Sequence, residues 1–269
     1  IGIQLKEYEG AKGLYRLSKE IDKGYNIDMV ADLHDVLRSQ FIRRYFRRRG
    51  KRVKYIDKGR AEKRAITSKR KPLRQLTHTI DRYLDVFAKL GIQAEMTFTN
   101  YFKSYSLPIE NLHSVGFNRE KINIGFAPFA MHRGKIYPIE KMERVIEKVS
   151  QLDNVQIYLF GGGKEEKQQF EAWEKRFSNA KSLVGQLTLE NELLLMSHLA
   201  VLVSMDSANM HLASLVETPV ISIWGATHPY LGFYGFGQDH NNAIQLDLEC
   251  RPCSVYGNRP CQRGDYACM

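Results

Sequence analysis

Apolar positions along the chain fall into two alternating patterns, short continuous runs and stretches with helical period. Residues 27–31 and 53–56 are short, mostly apolar segments and read as strands. Between them, residues 36–49 carry Leu37, Phe41 and Tyr45 on one helical stripe with arginines around the rest, and Gly50 stands where a helix end favours a left-handed residue. Residues 11–23 (Leu14, Leu17, Ile21) and 77–90 (Ile80, Leu84, Phe87, Leu90) share the helical period. The β-α-β-α alternation over residues 27–90 is that of an open parallel sheet. Periodicity then fades over residues 91–120, which include Pro108. The pattern predicts an N-terminal domain over 1–110 and a C-terminal domain over 118–269.

From residue 121 the alternation resumes. Residues 122–127, 155–160, 182–184, 200–204 and 220–224 read as strands. Residues 138–152, 165–177, 189–198 and 210–216 read as helices, the first with Pro138 in its opening turn and the last stopped by Pro219. No internal repeat or low-complexity tract is present. Two Rossmann-like α/β domains with a cleft between them is the economical expectation.

The stretch 202–225 is the densest in chemistry. Asp206, Ser207 and Asn209 are helix-capping types directly after a strand. Ligands of parallel sheets sit at the carboxyl ends of strands, and a helix start there offers free N–H groups and a favourable dipole to an anion. His211, one turn in, can add a donor. A phosphate site is the functional reading; a capped helix with a structural Asp and a satisfied His is the plain one. Lys135 follows strand 122–127 and can neutralise a diphosphate, although exposed loop lysines are common. Gly161, Gly162 and Gly163 follow another strand and would let a ligand approach the backbone, but they also suit a plain tight turn. Neither a G-x-G-x-x-G fingerprint nor a Walker A sequence occurs.

Composition sharpens this picture. An apolar fraction of 43% supports substantial cores, and no run of 18 apolar residues reads as a membrane span. There is no signal peptide pattern, and the opening Ile1 suggests the interior of a longer chain. The net charge of +10 is local: residues 38–74 hold 17 Lys/Arg against two acids, while the remainder holds 23 basic and 28 acidic residues. Such a run suits an acidic partner, whether a phosphorylated glycan, an anionic membrane surface or nucleic acid. Few aromatics punctuate it (Tyr45, Phe46, Tyr55), which ranks a nucleic-acid-binding module second.

Cys250, Cys253, Cys261 and Cys268 all lie in the last twenty residues, arguing for a reducing, cytoplasmic compartment over a disulfide-stapled secreted fold. Their spacing suits a structural zinc, a zinc knuckle in the nucleic-acid reading; four reduced thiols holding nothing fit the same spacing. No HExxH, GxSxG or kinase signature occurs, which leaves protease, esterase and kinase readings without support.

Two segments, Ser204-Met-Asp-Ser-Ala-Asn-Met-His-Leu-Ala-Ser-Leu215 and Thr218-Pro-Val-Ile-Ser-Ile-Trp-Gly-Ala-Thr-His-Pro229, carry a family likeness. They resemble the ADP-heptose:lipopolysaccharide heptosyltransferases, glycosyltransferase family nine, whose pattern is Asp-[Thr/Ser]-Gly-x-x-His and then Gly-x-[Thr/Ser]-x-Pro. Residues 127–138 are similar to the family's Pro-Gly-Ala…Lys-x-Trp-Pro element, residues 25–39 and 78–84 to its N-terminal segments, and the closing cysteines to some members.

The resemblance implies an α/β GT-B fold, two Rossmann-like domains with parallel sheets facing across a cleft, the N-terminal one truncated. It implies inverting transfer of heptose from ADP-heptose to the inner core of lipopolysaccharide, the acceptor being lipid A–core oligosaccharide. Lys135, Asp206 and His211 would be catalytic. Donor contacts would come from Phe129, Ala130, Lys135, Asp206, Ser207, Ala208 and His211, with Glu165 on the ribose (Glu166 stands beside it) and Leu187 on adenine. Arg38, His78 and Arg82 would meet the acceptor. No cofactor is required for catalysis in this reading, and the protein would sit in the cytoplasm, peripheral at the inner face of the inner membrane.

Three departures stand out: Ala208 and Phe129 replace family glycines, Tyr137 replaces a Trp, and the opening segment bearing the proposed base has no counterpart. Asp32 and Asp35, at a strand end, are stand-ins for that base. A relative using another nucleotide sugar or another glycan would carry the same motifs.

Overall fold

The structure, a computed structural model, describes residues 2–69 and 72–269. Arg70 and Lys71 of the basic run, and Ile1, lie outside the described residues. The chain forms two compact units, Ile1–Ala61 with Thr77–Thr97, and Glu62–Leu76 with Phe98–Met269.

The first unit holds α1 (Gly10–Gly24), β1 (Met29–Asp32), α2 (Leu37–Arg48), β2 (Arg52–Tyr55) and, after the short helix α3 (Arg60–Ile66) that leads out of it, α4 (Thr79–Lys89). Strands β1 and β2 pair in parallel, Met29 opposite Arg52 through Asp32 opposite Tyr55. Leu14 and Leu17 bury the inner face of α1, as their spacing predicts. In α2 the buried residue is Phe46, one position beyond the expected stripe, and Leu37 is 84% exposed on the first turn. In α4 Arg82 and Val86 are buried, as is Leu90 of the predicted stripe just past its end, while Ile80, Leu84 and Phe87 of that stripe are half-buried. Helix α3 was not legible because its sequence is mostly charged and buries only Ile66.

The second unit is a six-stranded, all-parallel sheet. Its elements are β3 (Ile122–Ala127), α5 (Ile139–Ser150), β4 (Val155–Leu159), α6 (Lys164–Arg176), β5 (Ala180–Ser182), α7 (Leu189–Met196), β6 (Val201–Met205), α8 (Ala208–Leu215), β7 (Val220–Trp224) and β8 (Ala243–Gln245). The strand order is β5-β4-β3-β6-β7-β8. One core cluster gathers Met142 and Ile146 of α5 with Phe170 and Trp173 of α6. The other gathers Leu193 to Met196 of α7 and Met210 and Ala213 of α8 with Leu112 and Val115, which come from the aperiodic stretch. Apolar residues alternate between these clusters along buried strands, which is why the strands read as continuous apolar runs. The chain leaves β3 toward β4 on one side and returns to β6 on the other. The carboxyl ends of β3 and β6 therefore flank the topological switch point, where open parallel sheets bind ligands.

Candidate active site at the switch point

The loop after β3 turns back through a 3-10 turn at Arg133–Lys135, in which Lys135 N bonds His132 O at 2.9 Å. Gly134 in this turn is buried; a Cβ there would stand 2.9 Å from the Ala226 Cβ and from Gly257 O, so the close approach requires glycine. The turn delivers the Lys135 ammonium to 2.9 Å from Asp206 Oδ2, the lysine side chain being 14% and the aspartate 3% exposed. Asp206 follows β6 and is held by its own N–H on Ile223 O (3.3 Å) and by the Thr227 hydroxyl, which donates to Oδ2 at 2.7 Å.

Asp206 is the only carboxylate paired with Lys135 among the described residues. An ammonium has three hydrogens, so the pair fixes the lysine without exhausting it. Ser207 is the N-cap of α8, yet its side chain makes no capping bond; its Oγ lies 3.3 Å from Ser204 Oγ instead. The first N–H groups of α8 are thus left without a side-chain cap at the place where the dipole favours an anion.

These groups line one cavity of about 690 Å³, within the range of small-molecule sites. Lys135, Asp206, Ser207, Ala208 and His211 line it, with Phe129, Ala130 and the glycine turn Gly161–Gly162. Phe233 and Tyr256 add aromatic wall, and Glu166 and Glu192 add carboxylates. Burial pushes the Glu192 carboxyl above its ordinary value. The Glu166 carboxylate accepts the Gly162 N–H at 2.7 Å, and a Cβ on Gly161 would collide with it, so the glycine turn and Glu166 are shaped to each other.

Glu165 and Leu187 are not brought to this cavity: Glu165 is exposed and Leu187 packs against the core. Glu166 takes the place at the wall because Glu165 projects from the outer side of α6. Phe129 fills space beside Phe170, ring centroids 5.5 Å apart, where the family pattern has a glycine. Thr227 was the functional residue sequence reasoning passed over, although it occupies the Thr/Ser position of the Gly-x-[Thr/Ser]-x-Pro pattern.

The three expected acceptor residues belong to the first unit. Arg38 is exposed on α2. His78 caps α4, its Nδ1 accepting from Ile80 N at 3.3 Å. Arg82 is buried, donates to Thr77 O and Asp57 O at 3.2 Å, and lies against Gly59 where no side chain would fit.

The stand-in bases do not suit that role. Asp32 accepts N–H from His34 and Asp35, and Arg43 bridges Asp32 and Asp35 at 2.9 Å each. Burial pushes both carboxyls up. It is outweighed at Asp32 by the backbone N–H of Asp35 and His34, and at Asp35 by Arg43, so both are held below the usual carboxylate range. Neither is poised to take a proton.

All four cysteines line one small cavity of about 20 Å³ together with Arg251. Among the described residues no group of three or more His, Cys, Asp or Glu is placed to hold a metal ion. No described helix is long and apolar enough to cross a membrane.

A six-stranded parallel sheet with a cation and a helix start at its switch point is an arrangement suited to an anionic ligand, and it is the arrangement of nucleotide-binding halves of GT-B glycosyltransferases. The family model of glycosyltransferase family 9 (heptosyltransferase) matches residues 14–262, and the chain belongs to that family. It is a glycosyltransferase of GT-B fold.

Similar solved structures include E. coli heptosyltransferase WaaC with ADP (18% identity, TM-score 0.60, covering 93% of this chain and 78% of that one). A family 9 glycosyl transferase from Veillonella parvula DSM 2008 has 20% identity and TM-score 0.65, covering 92% and 72%. E. coli ADP-heptose lps heptosyltransferase II has 16% identity and TM-score 0.59, covering 95% and 76%. No curated protein matches the chain.

Proposed function

We propose that this glycosyltransferase moves a heptose from ADP-heptose to the inner core of lipopolysaccharide with inversion at the anomeric carbon. The observation that carries the reading is the Lys135–Asp206 pair beside the uncapped start of α8, in one cavity. As the donor's glycosidic bond breaks, negative charge grows on the leaving diphosphate. Lys135 and the α8 N–H groups meet that charge from fixed positions, which favours the transition state over the bound donor. A lysine and a helix end supply this charge without a catalytic metal. His211 adds a donor at the same end, and Glu166 offers a carboxylate to the ribose hydroxyls. The WaaC structures hold ADP and ADP-2-deoxy-2-fluoro heptose, which supports an ADP-sugar donor here.

The acceptor side of the proposal rests on charge. Arg38, Arg44, Arg47 and Arg48 are exposed along α2, beside the exposed Leu37, a face suited to a phosphorylated lipid A–core acceptor at an anionic membrane surface. A donor screen tests the whole reading: nucleotide release from ADP-heptose and from UDP-, GDP- and CDP-sugars, with and without lipid A–core acceptor. Acceptor-dependent ADP release is expected. Turnover confined to another nucleotide sugar would replace the donor, and release indifferent to acceptor would remove lipopolysaccharide from the reaction.

A further inference from the structure

Arg251 is a cation that the proposed chemistry leaves unused, and it is only 5% exposed. Among the described residues it forms no ion pair. Its guanidinium donates to neutral oxygens: to Gly225 O and Leu246 O, to Trp224 O and Thr227 O, both at 3.0 Å, and to Gln245 Oε1 at 3.1 Å. Taking a cation out of water for neutral acceptors is unfavourable unless the geometry is well satisfied. Three of these acceptors are carbonyls of one turn, residues 224–227, which closes β7 and reaches the cavity-lining Asp206 through the Thr227 hydroxyl.

Two routes lead from that turn to Lys135. In the first, the peptide joining Gly225 to Ala226 is held at both ends: its carbonyl accepts from Arg251, and its N–H donates to Gly134 O at 2.8 Å. Gly134 immediately precedes Lys135. In the second, the Thr227 carbonyl accepts from Arg251, and the Thr227 hydroxyl donates to Asp206, the partner of Lys135. The rest of the tail reinforces both routes. Cys253 N and Ser254 N donate to Ala226 O at 3.0 and 3.2 Å, and Gly257 lies so close to the lysine stem that a Cβ would stand 2.6 Å from Lys135 Cγ.

We propose that Arg251 is a positioning residue of the donor-diphosphate site: it sets the 224–227 turn, and through Gly134 and the Thr227–Asp206 bond that turn sets the Lys135 ammonium. The cysteine-rich tail is then part of the site's frame. The assignment rests on reading the cavity as the donor site. Lys135 acts on the diphosphate; Arg251 acts only through the turn.

The test uses the full chain with Arg251→Gln, Arg251→Lys, Thr227→Val and the double variant Arg251→Gln/Thr227→Val, each checked for native circular dichroism. Two readouts are taken: the ADP dissociation constant, and the acylation rate of Lys135 against that of the exposed Lys167, measured by peptide mapping without nucleotide. Arg251→Gln is expected to weaken ADP about tenfold and to speed Lys135 acylation several-fold, with Lys167 unchanged. Lysine keeps the charge but not the fork, so Arg251→Lys should fall short of rescue; it also stands in should the glutamine variant fail to fold. Since both residues act along one route, the double variant should lose little more than the worse single one. An unchanged Lys135 acylation rate in both arginine variants, or losses that multiply in the double variant, overturns the assignment. Altered acylation in a protein whose wild type binds no ADP overturns the donor-site reading and leaves the positioning role standing.

Discussion

The carboxyl ends of β1 and β6 look alike on paper and behave differently. Each is followed or closed by a buried aspartate that faces a cation, Asp32 with Arg43 and Asp206 with Lys135. At β1 the charges are spent on each other. Arg43 bridges Asp32 and Asp35, lies 3.9 Å over the Tyr55 ring, and is joined by Arg60 at 3.1 Å from Asp35. Asp35 adopts φ 43, a left-handed conformation that asparagine and aspartate tolerate better than most residues. At β6 one carboxylate meets one lysine, and the lysine borders a cavity. The lesson is that a buried ion pair at a strand end becomes a site only when the cation retains unspent donors and space in front of them.

Substitutions at the two cations should separate these roles. Arg43→Met leaves the buried Asp32 without a cation and Asp35 with only the exposed Arg60, and is expected to lower stability by about 3–5 kcal/mol in chemical denaturation, while ADP still binds where the protein remains folded. Lys135→Met uncovers only Asp206, which keeps the Thr227 hydroxyl, so it should cost less stability than Arg43→Met but reduce transfer on the order of 10²–10³-fold, as initial rates of ADP release by the folded variant would show. Equal loss of ADP binding in both variants would erase the contrast.

Acid should also distinguish the two regions. Burial, assisted by the nearby Arg251 charge, pushes His228 in the second unit down to about 4 from its ordinary 6.5. The unfolded chain therefore binds this proton first, and stability falls as pH drops from about 6.5 to about 4, by about 3 kcal/mol at most. Asp32 and Asp35 have lowered pKa values, so their contribution is present above the ordinary carboxylate value of 3.8 and is lost only as pH falls further. Denaturation midpoints against pH should show two acid steps, and His228→Gln should remove only the upper one. The smallest effect concerns the glycine turn: Glu166→Gln should weaken ADP several-fold, about 1 kcal/mol, and Glu165→Gln should leave titrations unchanged. Matched losses would mean that both carboxylates reach the ligand.

Much of the second unit was legible because its strands are buried on both faces. Residues 122–127 and 220–224 coincide with the observed strands, and residues 202–225 pointed to the switch point. The first unit was less legible. Of the stripes predicted for α2 and α4 only Leu90 is fully buried, and Phe46 and Val86, outside them, are buried as well, since two short strands define no broad inner face for these helices. Residues 98–117 lack periodicity yet supply Leu112 and Val115 to the second core, a tertiary contact with no local signature. At the site, Lys135 and Asp206 were visible as residue types at strand ends. Arg251 was not, because an arginine between two cysteines gives no sign in sequence that it will fold under a turn 24 residues earlier.

The central claim is that the turn after β6, closed by Lys135, holds a nucleoside diphosphate. Calorimetric titration of ADP into the intact protein, with Lys135→Met alongside, addresses it without an acceptor or a donor sugar. A single saturable site in the wild type, weakened tenfold or more in the variant, is the predicted result. Equal affinity in the two proteins, or no binding by the wild type, would contradict it.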